Sequence, residues 1–78
     1  MDLAESVLSE IRRLSKTPAD QIGLESKLRE LGLDSLDLAE MGTELEDSLG
    51  VMLNDSQTKA IFSAVTVADI VRAISGAG

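Results

Sequence analysis

Ser35 follows Asp34 directly, precedes Leu36 and Asp37, and opens a run in which acids recur at Glu40, Glu44, Glu46 and Asp47. A serine so placed can cap or decorate a helix start, act as a nucleophile, or accept a covalently attached group. A nucleophile needs a base within hydrogen-bond reach. The chain has no histidine, and Lys27, Arg29 and Lys59 stand at no recognised serine–lysine spacing. Attachment has more support. The free N–H groups of a helix start favour a cluster of negatively charged oxygens, so a phosphodiester on Ser35 would be stabilised there. Most of the nine serines read as solvated positions or caps, and on spacing alone the structural reading of Ser35 stays open. The acids could imitate a metal or glycosidase site. Acids strung along a convex helix face do not converge on a ligand, however, so no metal site and no catalytic residue is expected. With no cysteine, the chain has no thiolate and no disulfide of its own.

The charge distribution narrows the function classes further. Net charge is -7, from 14 acids and 7 bases in 78 residues. From Glu30 to Thr58 there are eight acids and no base, whereas the remainder carries six acids and seven bases. Nucleic-acid binding requires the opposite sign. The central acidic segment reads as a solvated helix face or as a docking surface for a basic partner. No apolar run reaches membrane-span length, and the first residues lack the basic and apolar regions of a signal peptide. A cytoplasmic protein follows as the expectation.

Four helix starts position these residues. A capping residue is followed three positions later by an acid or glutamine at Asp2…Glu5, Asp34…Asp37, Asn54…Gln57 and Thr66…Asp69, the spacing of a capping box. Leu3, Val7, Leu8, Ile11 and Leu14 predict a first helix from Leu3 to Leu14 or Ser15, stopped by Thr17-Pro18. A second, Ser35 to Leu49, has a core stripe of Leu38, Met41, Leu45 and Leu49 and stops at Gly50. Leu36 falls opposite that stripe, which predicts exposure beside Ser35. Gly42 costs about 1 kcal/mol of helix propensity against alanine, and close approach of a neighbouring helix would account for it. A short third helix is expected at Asp55 to Ile61. A fourth runs from Val67 to Ile74, with Val67, Ile70, Val71 and Ile74 inward. Ile22, Leu24, Leu28, Leu31 and Leu33 should anchor the long connection between the first two helices, with Ser26 capping a short turn over 27–31. The expected fold is all-α: a small antiparallel bundle of three main helices plus one short one. It forms a single domain over 1–78, ordered from about 3 to 74, with a frayed end at Ser75-Gly76-Ala77-Gly78.

Leu31-Gly32-Leu33-Asp34-Ser35-Leu36-Asp37 resembles the phosphopantetheine attachment motif of acyl carrier proteins. The acidic segment 37–50 resembles that family's recognition helix, and Thr66 to Val71 its last helix start, so the resemblance covers about Leu3 to Ile74. It implies that a phosphopantetheinyl transferase moves 4'-phosphopantetheine from coenzyme A onto the Ser35 hydroxyl, making a phosphoprotein. The thiol of that arm then holds acyl groups as thioesters. The chain would be a non-catalytic carrier, a monomer, serving an acyltransferase or acyl-ligase, a ketosynthase and other enzymes with basic patches.

The resemblance also assigns roles residue by residue. Asp34 belongs to the attachment motif and Leu36 is the apolar contact beside the arm. Asp37, Glu40, Glu46 and Asp47 match acidic positions that meet Arg and Lys of partners, and Glu44 extends the ridge. Met41, Leu45, Ile61 and Val67 are candidate linings of an acyl cavity. Thr43 stands where fatty-acid carriers commonly have methionine, and Gly42 replaces an aliphatic residue. Both changes favour polyketide or related specialised biosynthesis over general fatty acid synthesis. The start at Met1 and the end soon after the last helix fit a discrete carrier. An unmodified acidic interaction module is the remaining reading.

Overall fold

The computed structural model describes residues 2–75. Each helix begins directly after the residue whose side chain was expected to cap it. In α1 (Leu3–Leu14) Asp2 accepts the Glu5 N–H. In α2 (Ser35–Leu49), α3 (Asp55–Ser63) and α4 (Val67–Ile74) the exchange is reciprocal: Asp34 with Asp37, Asn54 with Gln57 and Thr66 with Asp69. Each box satisfies two backbone donors that the first helical turn leaves free. Gly50 ends α2 in the left-handed conformation, φ 66°, which glycine adopts without steric cost. α3 extends two residues past the expected Ile61, because Phe62 and Ser63 continue the helix until the Ala64 N–H bonds the Ile61 carbonyl.

α1 packs on α2 and α4, and α3 packs on the same two helices, so the four enclose an aliphatic core. Val7 and Ile11 of α1, Met41 and Leu45 of α2, and Val67 and Ile70 of α4 have no solvent-accessible surface. Burying side chains of this size contributes roughly 1.5–3 kcal/mol each. Ala73 joins the core in α4, and Val71, expected inward, is half-buried. Among the described residues no strand forms, only an isolated antiparallel bridge between Lys27 and Thr66.

That bridge belongs to a set of bonds that fasten the long connection to the bundle. Arg12 donates to the carbonyls of Ala19 (3.2 Å) and Ile22 (3.1 Å), and the Ser15 hydroxyl donates to that of Leu31 (2.8 Å). At the other side the Leu28 N–H donates to the Val65 carbonyl, and the Val67 and Ala68 N–H groups to those of Ser26 and Leu24. Ile22, Leu28, Leu31 and Leu33 are buried, as anchors should be. Leu24 is not: it is 41% exposed, and its contribution is the backbone carbonyl that accepts from α4. The Ser26 hydroxyl does not cap the following turn but accepts the Gly23 N–H at 2.9 Å, closing the chain on its other side. Gly32, at φ 75°, then ends the 28–31 turn and delivers Asp34 to the head of α2.

Candidate functional site

Ser35 is the first residue of α2 and is exposed. The capping box brackets it: the Asp37 N–H donates to Asp34 Oδ1 at 3.0 Å, and the Asp34 N–H donates to Asp37 Oδ2 at 3.1 Å. Asp34 O accepts from Leu38. The N–H groups of Ser35 and Leu36 are left without a partner among the described residues, as is the Ser35 hydroxyl. Four other serines differ: the hydroxyls of Ser6, Ser15 and Ser75 donate to carbonyls, and that of Ser26 accepts from Gly23. An accessible hydroxyl beside two unclaimed donors at the positive end of a four-turn helix fits a phosphodiester. Leu36, next to it, is 79% exposed. Desolvating so large an apolar side chain costs the fold nothing and rewards a partner that covers it.

The acidic residues singled out in the sequence divide into two groups. Glu40 and Asp47 are exposed and free of hydrogen bonds to the described residues, and Glu44 is half-buried. Asp34 and Asp37 each use a carboxylate oxygen in the cap. Glu46 is half-buried, and its Oε2 accepts the Leu53 N–H at 2.8 Å, tying the α2–α3 connection to α2. The acids at Asp34, Asp37 and Glu46 therefore hold local structure as well as charge.

Arg13, near the end of α1, moderates that charge. It forms an ion pair with Glu10 at 2.9 Å. The Glu10 hydrogen bond and charge, with Glu44 and Glu40 adding, hold its guanidinium above the ordinary arginine value. The central segment contains no base, so only the tertiary packing of α1 on α2 brings a cation to it.

Between α2 and α3 lies a half-open cavity of about 180 Å³, lined among others by Leu38, Ala39, Gly42, Leu53, Ile61 and Phe62. Its lining begins one turn beyond Ser35. Of the four candidate lining residues, only Ile61 reaches it; Met41, Leu45 and Val67 are wholly buried in the core. Gly42 meets no helix. A Cβ built on it would lie 3.9 Å from Leu53 Cδ1, an ordinary contact, and would protrude toward the cavity. Leu53 and Phe62 were absent from the sequence reading. For Leu53 a signal existed: it immediately precedes the Asn54 cap, where an apolar residue commonly packs back on the helix.

Among the described residues no group of three or more acids is placed to hold a metal ion, and no helix is long and apolar enough to cross a membrane.

Comparison with known proteins agrees with this arrangement. The family described as the phosphopantetheine attachment site matches residues 5–74. An acyl carrier protein of Saccharopolyspora erythraea is 51% identical over 45 residues, a match spanning 56% of this chain and about half, 47%, of that protein. One from Helicobacter acinonychis is 35% identical over 75 residues, covering 95% of this chain and 92% of its own length. The chain belongs to the phosphopantetheine-attachment family of acyl carrier proteins, whose prosthetic group is 4'-phosphopantetheine.

Proposed function

We propose that Ser35 is the attachment residue and that the chain, acting as one cytoplasmic, monomeric carrier domain, presents acyl thioesters to successive enzymes. The observation that carries this is the exposed Ser35 hydroxyl at the head of α2, beside two unpartnered N–H groups. The arm supplies the thiol that a chain without cysteine lacks. Ser35 is esterified to the arm and takes no part in acyl transfer. Leu36, with Asp37, Glu40, Glu44 and Asp47 below it, forms the surface that meets the transferase, acyltransferase or acyl-ligase, and ketosynthase. Its acids steer basic partners, and its leucine is covered on contact.

The cargo reading follows from the cavity. An apolar acyl segment on an arm from Ser35 lies along α2 and enters between α2 and α3. Gly42 and Thr43 both line that space, and the Thr43 hydroxyl donates to the Ala39 carbonyl at 3.3 Å. A hydroxyl in the lining favours the oxygenated intermediates of polyketide or related specialised biosynthesis over long saturated chains. General fatty acid synthesis is the alternative.

Incubation of the purified protein with coenzyme A, magnesium and a broad-specificity phosphopantetheinyl transferase tests the attachment. Intact mass spectrometry should show one added phosphopantetheine, and fragmentation should place it on Ser35. Ser35→Ala should abolish the gain and retain the helical signal, because Asp34 still caps α2. No gain from a transferase active on another carrier overturns the reading and leaves an unmodified interaction module in its place. A gain that survives Ser35→Ala assigns the arm to another serine.

A further inference from the structure

Ser15 closes α1 and also touches the segment that leads to Ser35. Its N–H donates to the Ile11 carbonyl at 2.8 Å, so its backbone is still held by the helix. Its half-buried hydroxyl then makes two bonds. It accepts the Thr17 N–H at 3.1 Å, which turns the chain out of α1, and it donates to the Leu31 carbonyl at 2.8 Å. That carbonyl has no other donor among the described residues. Leu31 is buried and opens the run Leu31-Gly32-Leu33-Asp34-Ser35.

Bonds inside this segment are longer and fix its shape, not its place. The Gly32 N–H reaches the Arg29 carbonyl at 3.2 Å, and the Leu33 N–H reaches that of Leu28 at 3.3 Å. Its place against the bundle comes from two sides. On the α4 side the ties are backbone groups, Leu28 on Val65 and Val67 on Ser26. On the α1 side they are side chains, Arg12 on Ala19 and Ile22, and Ser15 on Leu31. Of these side chains only Ser15 reaches the run that ends in Ser35.

We propose that Ser15 is a positioning residue for transfer onto Ser35: by holding the Leu31 carbonyl, its hydroxyl sets where the chain delivers Asp34 and the head of α2. The proposal rests on the carrier reading and adds to it a residue of another helix on which the transfer depends. In that transfer the Ser35 oxygen bonds the phosphorus of the phosphopantetheine half of coenzyme A. The adenosine bisphosphate half leaves, and the hydroxyl proton passes to a base of the transferase. The two reacting atoms must be aligned closely. Without Ser15 the Leu31 carbonyl loses its partner. Gly32 follows it at φ 75°, and a glycine can take either sign of φ, so the released segment has other arrangements within reach. Each of them displaces Asp34 and Ser35 together. A transferase that fits one arrangement meets only the fraction of molecules that hold it, and its apparent affinity falls by that fraction.

The test measures initial rates of phosphopantetheine gain by mass spectrometry, with saturating coenzyme A and varied carrier. Ser15→Ala should raise the KM for the carrier by about fivefold or more and leave kcat within about twofold. Ser15→Thr keeps the hydroxyl in an extended position that a β-branched residue tolerates, and should bring KM back toward the parent. Ala73→Gly weakens the far end of α4 without touching the segment, and should lower the unfolding midpoint while leaving KM unchanged. Amide exchange should accelerate at Gly32 and Leu33 in Ser15→Ala, but not at Leu28, which Val65 still holds. If Ser15→Ala loses its helical signal, Ser15→Cys, with a weak donor in the same place, is measured instead.

An unchanged KM, with the gain still on Ser35, overturns the positioning role. So does a rise in KM that Ser15→Thr fails to reverse or that Ala73→Gly reproduces. Absence of any gain in the parent protein overturns the carrier reading itself, and is seen before any variant is compared.

Discussion

Asp34 and Asp37 hold each other's backbone N–H, at 3.1 and 3.0 Å, across the two residues between them, Ser35 and Leu36. The cap therefore fixes the serine's backbone from both sides. Asp34→Ala should remove about 1 kcal/mol of stability, a fall of roughly 4–8 °C in unfolding midpoint for a domain this size. Phosphopantetheine transfer should slow further than that loss explains, because the unfolded fraction stays negligible. Midpoints by circular dichroism and initial rates of mass gain measure the two effects.

Glu40 and Asp47 are exposed and unbonded, so their reversal to lysine should change stability by no more than about 0.5 kcal/mol. Association with a transferase or ketosynthase should slow by about tenfold or more at low salt, and the difference should shrink as salt rises. Arg13→Gln should do the opposite, since the cation in the field of Glu44 and Glu40 is removed. Arg72→Gln changes net charge equally but pairs with Asp69 on α4, and should speed association less. Stopped-flow rates across a salt series separate local from overall charge.

Gly42 is a helix-interior glycine whose missing Cβ would meet only Leu53 Cδ1, at an ordinary 3.9 Å. Gly42→Ala should raise stability by roughly 0.5–1 kcal/mol, from the smaller backbone entropy of the unfolded chain. The added methyl should also narrow the cavity beside Leu53. A decanoyl thioester then stabilises the variant less than it stabilises the parent, as read by the rise in unfolding midpoint on loading. An acetyl thioester should stabilise both alike.

Asp69 carries a carboxylate held down to about 2, by the N–H groups of Thr66 and Val65 first and by Arg72 after them. A depressed folded value means the stabilisation is complete above the ordinary carboxylate range and disappears as pH falls through the folded value. Asp69→Ala should accordingly be less stable than the parent at neutral pH, and the gap should close between about pH 4 and pH 2. Urea unfolding at several pH values measures it. Because Val65 and Thr66 also receive the long connection, the variant should lose amide protection at Leu28 as well.

Local rules were enough to read the helices. Caps, apolar spacing and Gly50 gave α1, α2 and α4 their observed boundaries, since each signal acts within one or two turns. The same locality made the Leu36 exposure and the Ser35 placement legible. Contacts across the bundle were a different matter. Which carboxylates stand free and which are held was not readable: Glu46 and Asp47 are neighbours with the same charge, and only the returning α2–α3 connection brings the Leu53 N–H to one of them. Arg13 is remote in sequence from Glu40 and Glu44, and the packing of α1 on α2 makes them neighbours. The cavity lining was misassigned for the same reason. Periodicity reports that Met41 and Leu45 turn inward, but not which inward residues meet solid core and which meet a gap. The sequence determined the helices, the exposed serine at the head of α2 and the acidic face because these depend on residues close along the chain. The Glu46–Leu53 bond, the internal counter-charge and the cavity depend on how whole helices lie together, and the tertiary structure alone decided them.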